Sequence, residues 1–285
     1  MWIIYAFGSA FFAGITAILA KIGIKNIDSH LATAIRTIVI LIFSWLMVFI
    51  VDSFHTITNI TFHTFLFLIL SGFATGLSWL CYFKALQLGN VNKVTPIDKS
   101  STILTMILAM IFLKESITLF KIISIILIGI GTFFMIEKKN DQTQTQNQKW
   151  LFYALGSALF ASLTSLLGKI GITGVESNLG TAIRTVVVFL LAWMIVFATN
   201  KQKEIKKIDQ KSWIFLILSG LTTGLSWLCY YKALQTGEAI IVVPIDKLSI
   251  VITILFSSLI LKEKLTIKSF IGFIAIHIGT LLLLV

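Results

Sequence analysis

Long apolar runs separated by short polar segments dominate this chain of 285 residues. About 20 apolar residues are enough for one helix to cross a bilayer, and ten runs approach that length. The runs lack the alternation typical of strands, and a chain that crosses a membrane must form helices or a closed barrel. The pattern therefore predicts an all-α integral membrane protein with ten transmembrane helices. They are expected at residues 3–24, 31–51, 65–88, 92–113, 118–136, 151–172, 179–199, 213–236, 240–261 and 267–285.

The second half of the chain repeats the first at a constant offset of 148 residues. Roughly 60 of about 136 aligned positions are identical, which identifies an internal duplication. Between the copies lies a polar stretch rich in glutamine, which has nothing to bury and indicates a flexible linker. We therefore divide the chain into a first five-helix repeat at 1–137, a linker at 138–149 and a second repeat at 150–285.

The odd number of helices in each repeat predicts that the two repeats cross the membrane in opposite directions. Such an inverted repeat is an architecture used for alternating access in transporters. When each Lys and Arg is assigned to its nearest helix end, 17 of the 23 fall on one side and 6 on the other. The positive-inside rule then predicts a cytoplasmic linker and two external termini, in the cell membrane.

Several short segments together resemble the EamA repeat of the drug/metabolite transporter superfamily. They are Ala20–Gly23, Thr33–Thr37, Gly76–Tyr82, Pro96–Lys99 and Leu113–Glu115, each with its copy in the second repeat. The resemblance implies a ten-helix transporter of amino acids, other metabolites or drugs, often an exporter, with a central cavity between the halves. Small multidrug resistance proteins of this superfamily bind cations and protons through a glutamate in helix 1, and this chain has no glutamate in that segment.

Ionisable side chains within the predicted spans are the first candidates for function, because each costs about 2.5–3.5 kcal/mol at mid-membrane. The ten candidates are Lys21, Arg36, Lys84, Asp98 and Lys99, and in the second repeat Lys169, Arg184, Lys232, Asp246 and Lys247. One interpretation is an interfacial ion-pair network that fixes the helix ends by snorkelling. The other is a gate at each mouth, where Asp98 pairs with Arg36 or Lys84, and Asp246 with Arg184 or Lys232. The surplus positive charge would attract anionic or zwitterionic solutes.

One face of predicted helix 3 is a second candidate, because its residues recur at helical spacing. It carries Thr75, Ser78, Trp79 and Tyr82, and the second repeat carries Thr223, Ser226, Trp227 and Tyr230. Aromatic rings with a few hydroxyls suit a cavity for small, partly apolar metabolites. The alternative is helix packing with an interfacial aromatic belt. Pro96 and Pro244 are expected to disturb the first turns of helices 4 and 9.

The composition and motifs of the chain argue against several classes of function. Hydrophobic residues make up 57% of the chain and charged residues 12%, so no soluble domain is expected that could use the net charge of +11 to bind nucleic acid. The sequence has no glycine-rich phosphate loop, nucleophile elbow or paired-carboxylate site, and its histidines have no metal-ligand company. We therefore expect neither an enzyme nor a cofactor or metal.

The sequence as a whole predicts a secondary active transporter in the lipid bilayer. Its solutes would be small metabolites, amino-acid-like, anionic or zwitterionic, or drugs, exported by alternating access with a coupling proton or a counter-substrate. One alternative is a translocase for a lipid-linked or phosphate-bearing head group, for which the basic side chains would bind phosphate. The other is a membrane scaffold that transports nothing.

Overall fold

The computed structural model describes residues 1–24, 27–88, 94, 97–98, 100–134, 149–250, 252–253 and 267–284. These residues form helices joined by short turns, and no β-strand occurs among them. In the first repeat the helices are α1 (Trp2–Gly23), α2 (Ser29–Ile50), α3 (Phe62–Leu88), α4 (Ser101–Phe112) and α5 (Leu119–Phe134). In the second repeat they are α6 (Lys149–Ile172), α7 (Ser177–Ala198), α8 (Gln210–Thr236), α9 (Ala239–Lys247) and α10 (Ile267–Leu282). Short 3-10 helices at Phe54–Asn59 and Lys201–Lys207 follow α2 and α7.

Six of these helices are long and apolar enough to cross a membrane, namely α1, α2 and α3 and their copies α6, α7 and α8. The predicted all-helical membrane fold is confirmed for these six spans. Helices α4, α5 and α10 are apolar but shorter. The predicted span 92–113 contains α4, and the predicted span 240–261 contains most of α9. The residues of these two spans that belong to neither helix fall largely outside the described ranges. The linker also lies outside them, apart from Lys149.

The duplicated sequence forms the same local structure in both repeats. The carboxylate of Asp28 caps α2 by accepting hydrogen bonds from two backbone N–H groups, and Glu176 at the equivalent position caps α7 in the same way. Asp52 and Asn200, also equivalent, both adopt positive φ after the second helix of their repeats. These two residue types tolerate the left-handed region better than most. Each repeat therefore contains its own residues that begin and end its second helix.

The two repeats interlock in an antiparallel arrangement. Helix α1 packs along α8, where Ser9 contacts Ser226 near one end and Gly23 faces Phe215 near the other. The two helices therefore run in opposite directions. The same holds for the equivalent helices α2 and α7, because Asp28 before α2 lies 3.8 Å from Lys201 after α7, measured from Oδ2 to Nζ.

The fourth helix of the second repeat is interrupted beside two charged residues. Helix α9 continues three residues past Pro244 and ends at Lys247, and Leu248 forms a turn before helical residues resume. We expected this proline in the first turn, and the structure places it in the second half of α9. A proline inside a helix removes one backbone hydrogen bond and weakens the helix there. Pro96 lies outside the described residues. The equivalent of Leu248 is Ser100, which is also a turn residue, directly before α4.

Helices α5 and α10 approach closely enough that a methyl group at Gly131 has no room. A Cβ there would lie 2.6 Å from the carbonyl oxygen of Gly272 and 2.8 Å from the backbone nitrogen of Ile276, and backbone atoms cannot rotate away. We expect Gly131→Ala to destabilise the protein by about 1–3 kcal/mol, the usual cost of overpacking. Gly8→Ala is the matched control, because its Cβ would meet the Cys229 sulfur at an ordinary 3.5 Å. Equal thermal unfolding temperatures for the two variants in detergent would contradict the close approach.

Candidate functional site

A cavity of about 400 Å³ lies between the two repeats, lined by helices from both. This volume suits a small metabolite. Seven of the eight residues predicted on the helix 3 faces line it: Thr75, Ser78, Trp79, Thr223, Ser226, Trp227 and Tyr230. The structure therefore brings the two equivalent faces together around one space.

Two features of this lining differ from the prediction. Tyr82, the eighth residue of the predicted faces, is not among the residues that line the cavity. Tyr231 lines it instead, although it lies off the predicted face and its equivalent is Phe83. Helix α6 adds Thr164 and Ser165, and Ser165 accepts a hydrogen bond of 2.9 Å from the Tyr230 hydroxyl. Sequence periodicity within one helix could not show which side chains a neighbouring helix contributes.

Arg184 is held on several sides within this cavity. Its side chain is almost fully buried, its Nη2 donates to the Thr75 hydroxyl at 2.8 Å and its Nε to Ser71 at 3.4 Å. The guanidinium carbon also lies 4.4 Å from the ring centre of Tyr231 and 5.3 Å from that of Trp227. Both distances are within the range of cation–π attraction.

Arg36 occupies the equivalent place on the other side. Its Nη2 donates to the Thr223 hydroxyl at 2.7 Å, and its Nε is buried without a hydrogen-bond partner in the described part of the chain. Thr75 and Thr223 are the middle residues of α3 and α8, which have 27 residues each. The arginines therefore lie at the centre of the fold. Both interpretations of the sequence, the ion-pair network and the gates, placed them instead near opposite membrane faces. The cause is the length of the arginine side chain, which reaches across the interface to the middle of a helix in the other repeat.

The two aspartates accept hydrogen bonds across the repeats. The Asp246 Oδ1 accepts one from the Ser9 hydroxyl at 2.6 Å, and the Asp98 Oδ1 accepts one from Ser157 at 2.7 Å. In each case a serine of the first helix in one repeat bonds an aspartate of the fourth helical segment in the other. Asp246 also lies 3.7 Å from the Nζ of its neighbour Lys247, and both line the cavity.

The ion pairs that we predicted between aspartates and arginines differ from this arrangement. The described hydrogen bonds of Arg36 and Arg184 go to hydroxyl groups. Lys232 bonds the Gln235 side chain at 3.2 Å, and Lys84 is exposed near the end of α3. The Lys21 side chain and Lys99 lie outside the described part of the structure.

A second cluster of charged residues joins the repeats at one end of the bundle. The Glu115 carboxylate accepts hydrogen bonds from the backbone nitrogens of Ala239 at 2.7 Å and Ile240 at 2.8 Å, and so caps α9 of the other repeat. Lys121 is 8% exposed, and its Nζ lies 2.6 Å from the Oε2 of Glu238. We call Glu115, Lys121 and Glu238 the latch.

Lys169 supports the latch from within the second repeat. Its Nζ donates to the backbone carbonyl of Gly237 at 2.7 Å and to that of Leu234. These two bonds hold the end of α8 directly before Glu238. Of the ten ionisable candidates, Lys169 is therefore the one that the described structure places beside the latch.

Lys121 and Glu238 are not among the candidates predicted from the sequence, because those candidates are all ionisable residues that recur in both repeats. At the equivalent positions the chain has Ser269 for Lys121 and Asn90 for Glu238, whereas Glu115 recurs as Glu263. The only signal in the sequence was this departure from the duplication. The duplicated sequence therefore has no second copy of the ion pair between Lys121 and Glu238.

Comparison with other proteins places these features in a family. A family model described as the EamA-like transporter family matches residues 1–137 and 148–285. An uncharacterized transporter of Sinorhizobium sp is 45% identical over 139 residues, which cover 49% of this chain and 99% of the relative. That relative is therefore about as long as one repeat. The uncharacterized transporter YxxF of Bacillus subtilis is 25% identical over 167 residues, 58% of this chain and 52% of the relative.

A solved crystal structure of another protein shares the fold. Its TM-score is 0.77 at 12% sequence identity, and the match covers 99% of this chain and 96% of the other. At this identity the likeness shows the fold alone. The family match, in contrast, covers both repeats and nearly the whole sequence. Together with the apolar spanning helices, it shows that this chain is a multi-pass membrane protein that belongs to the EamA-like transporter family.

Proposed function

We propose that this protein is a secondary active transporter that exports small anionic or zwitterionic metabolites by alternating access between its two repeats. The observation that carries the proposal is the charge of the cavity. Among the described residues that line it, Arg36, Arg184 and Lys247 are positive and Asp246 is negative. Charges within a membrane are costly unless they are compensated, so a solute that brings a negative group gains affinity there.

The rest of the lining fits the remainder of such a solute. Trp79, Trp227 and Tyr230 provide apolar ring surface, and the threonine and serine hydroxyls provide a few hydrogen bonds. The Asp246 carboxylate offers a partner for an ammonium group. An amino-acid-like solute would therefore have a favourable contact for each of its parts.

The latch indicates the side from which this conformation would bind its solute. Trp2, at the start of α1, packs against Gly237, so the latch lies at the end of the bundle where the chain begins. The excess of lysine and arginine on the other side predicts that this end is external. Contacts between the repeats at the external end would hold the cavity closed there, so that the solute enters from the cytoplasm.

Labelling of two equivalent loop positions tests the opposed orientations. Thr58 and Lys206 are equivalent in sequence, and both are exposed in the 3-10 helices. With Cys81 and Cys229 replaced by alanine, we expect Thr58→Cys to react with an impermeant maleimide on intact cells. Lys206→Cys should react only after the membrane is permeabilised. Reaction of both variants on intact cells would contradict inverted repeats.

Proteoliposomes test the transport activity itself. Purified protein would be reconstituted into vesicles that contain radiolabelled solutes, and efflux would be measured with and without a proton gradient or an external counter-solute. We expect efflux of anionic or zwitterionic solutes above protein-free vesicles, and none of a cationic solute. Movement of a fluorescent phospholipid between leaflets without solute efflux would instead support the head-group translocase.

A further inference from the structure

The two central arginines occupy equivalent sequence positions but differ in their surroundings. We propose that Arg36, and not Arg184, binds the anionic group of the transported solute, a carboxylate or a phosphate. This inference rests on the proposed function, because it assigns one residue of the cavity to one part of the solute.

Arg184 has its bonding capacity largely occupied by the protein. It is 1% exposed, two of its nitrogens donate to Ser71 and Thr75, and Tyr231 and Trp227 cover its guanidinium group. Little of its surface is left for a solute. Its role is to join α7 to α3 and α8 within the interface.

Arg36 has N–H donors for which the described structure provides no acceptor. It is half-buried, it lines the cavity, and its described hydrogen bond is the one from Nη2 to Thr223. The buried Nε finds no acceptor in the described structure. A guanidinium presents five N–H donors in a planar fork that matches a carboxylate or a phosphate. A solute oxygen that reached this edge would satisfy a donor that the protein leaves unpaired.

The difference between the two arginines has a basis in the sequence. Tyr231, whose ring covers Arg184, is replaced by Phe83 at the equivalent position. Ser71 accepts a hydrogen bond from Arg184, whereas the described bond of Arg36 goes to Thr223 and not to Ser219, the equivalent of Ser71. Asp246, the acidic residue in the described lining, accepts from Ser9 and lies beside Lys247, and the described hydrogen bonds of Arg36 and Arg184 go to hydroxyl groups instead.

Binding of small aromatic anions to the full-length protein in detergent tests this assignment. Benzoate and phenyl phosphate would be titrated calorimetrically, with the uncharged isostere benzamide as reference. We expect the wild-type protein to prefer at least one of the two anions over benzamide by about tenfold or more, in line with a charge-assisted bidentate contact. The preferred anion tells a carboxylate site from a phosphate site.

Variants of the two arginines then separate their roles. Arg36→Gln should lose the preference for the anion, and Arg36→Lys should keep only part of it. Arg184→Lys keeps the positive charge in the cavity, so it should lower the preference less than Arg36→Gln does, and Tyr231→Phe is a milder change on the same side. Thr223→Val removes the hydroxyl partner of Arg36, and Thr75→Val removes that of Arg184. This second matched pair is interpreted in the same way as the arginine variants and replaces them if an arginine variant does not fold.

The outcomes distinguish this inference from the proposed function. A wild-type protein that binds neither anion better than benzamide would overturn both. A wild-type preference that survives Arg36→Gln, or that Arg184→Lys removes as fully as Arg36→Gln does, would overturn the assignment to Arg36 alone and leave anion transport standing.

Discussion

Replacing Lys121 with serine and Glu238 with asparagine together should open the latched end of the protein. These are the residues that the chain itself has at the equivalent positions, Ser269 and Asn90. The double variant removes the ion pair of 2.6 Å between the repeats, and because both charges are removed together, neither is left without the other. Since the pair stabilises only conformations in which the latch is closed, its loss shifts the population towards conformations that are open at this end.

The size of the effect follows from the partial exposure of the pair. An ion pair with one partner at the surface contributes about 1 kcal/mol, which corresponds to roughly a fivefold change in the population of the open conformation. Ala161 lines the cavity and provides a reporter position. In a background without Cys81 and Cys229, Ala161→Cys should react with an impermeant thiol reagent from outside about five times faster in the double variant.

Two further variants control this experiment. The charge swap Lys121→Glu with Glu238→Lys restores an ion pair and should return the labelling rate towards wild type. Lys201 and Glu204 form a pair of similar length, 2.8 Å, within one 3-10 helix of one repeat. Glu204→Asn, which breaks this pair and keeps the contact of Lys201 with Asp28 of the first repeat, should leave the rate unchanged. An unchanged rate in the latch variant would show that this ion pair does not hold the cavity closed.

The sequence predicted the parts of the fold that depend on local patterns. Six apolar runs of sufficient length became spanning helices, because burial in lipid or protein requires every backbone group to bond within its own helix. The duplication predicted that both copies would fold alike, as the equivalent caps Asp28 and Glu176 show. The spacing of Thr75, Ser78 and Trp79 placed them on one face, and that face lines the cavity.

The contacts between repeats could not be predicted in the same way. A duplicated sequence shows that Arg36 and Arg184 are equivalent, but not that each reaches a threonine at the middle of a helix in the other repeat. Opposite charge suggested that the arginines would pair with the aspartates, and the packing of α1 beside α9 instead brings Ser9 to Asp246. Such partners depend on how the helices cross, which no pattern within a single helix records.

Asp246→Asn should reduce transport by at least about tenfold, which corresponds to about 1.4 kcal/mol in the activation barrier, while the protein still inserts normally. The carboxylate accepts from Ser9 at 2.6 Å and lies 3.7 Å from Lys247, so a neutral amide leaves the cavity more positive and removes the partner of an ammonium group. Ser9→Ala is the matched control, because it removes the hydrogen bond and keeps the charge, and it should cause only a fewfold loss of transport.

Asp98→Asn tests the equivalent carboxylate, which accepts from Ser157. Efflux from proteoliposomes, normalised to the amount of inserted protein, measures all three. Wild-type rates in both aspartate variants would show that these carboxylates serve packing alone. A loss confined to Asp246→Asn would place the chemistry on the side of the cavity where Asp246 and Lys247 end α9.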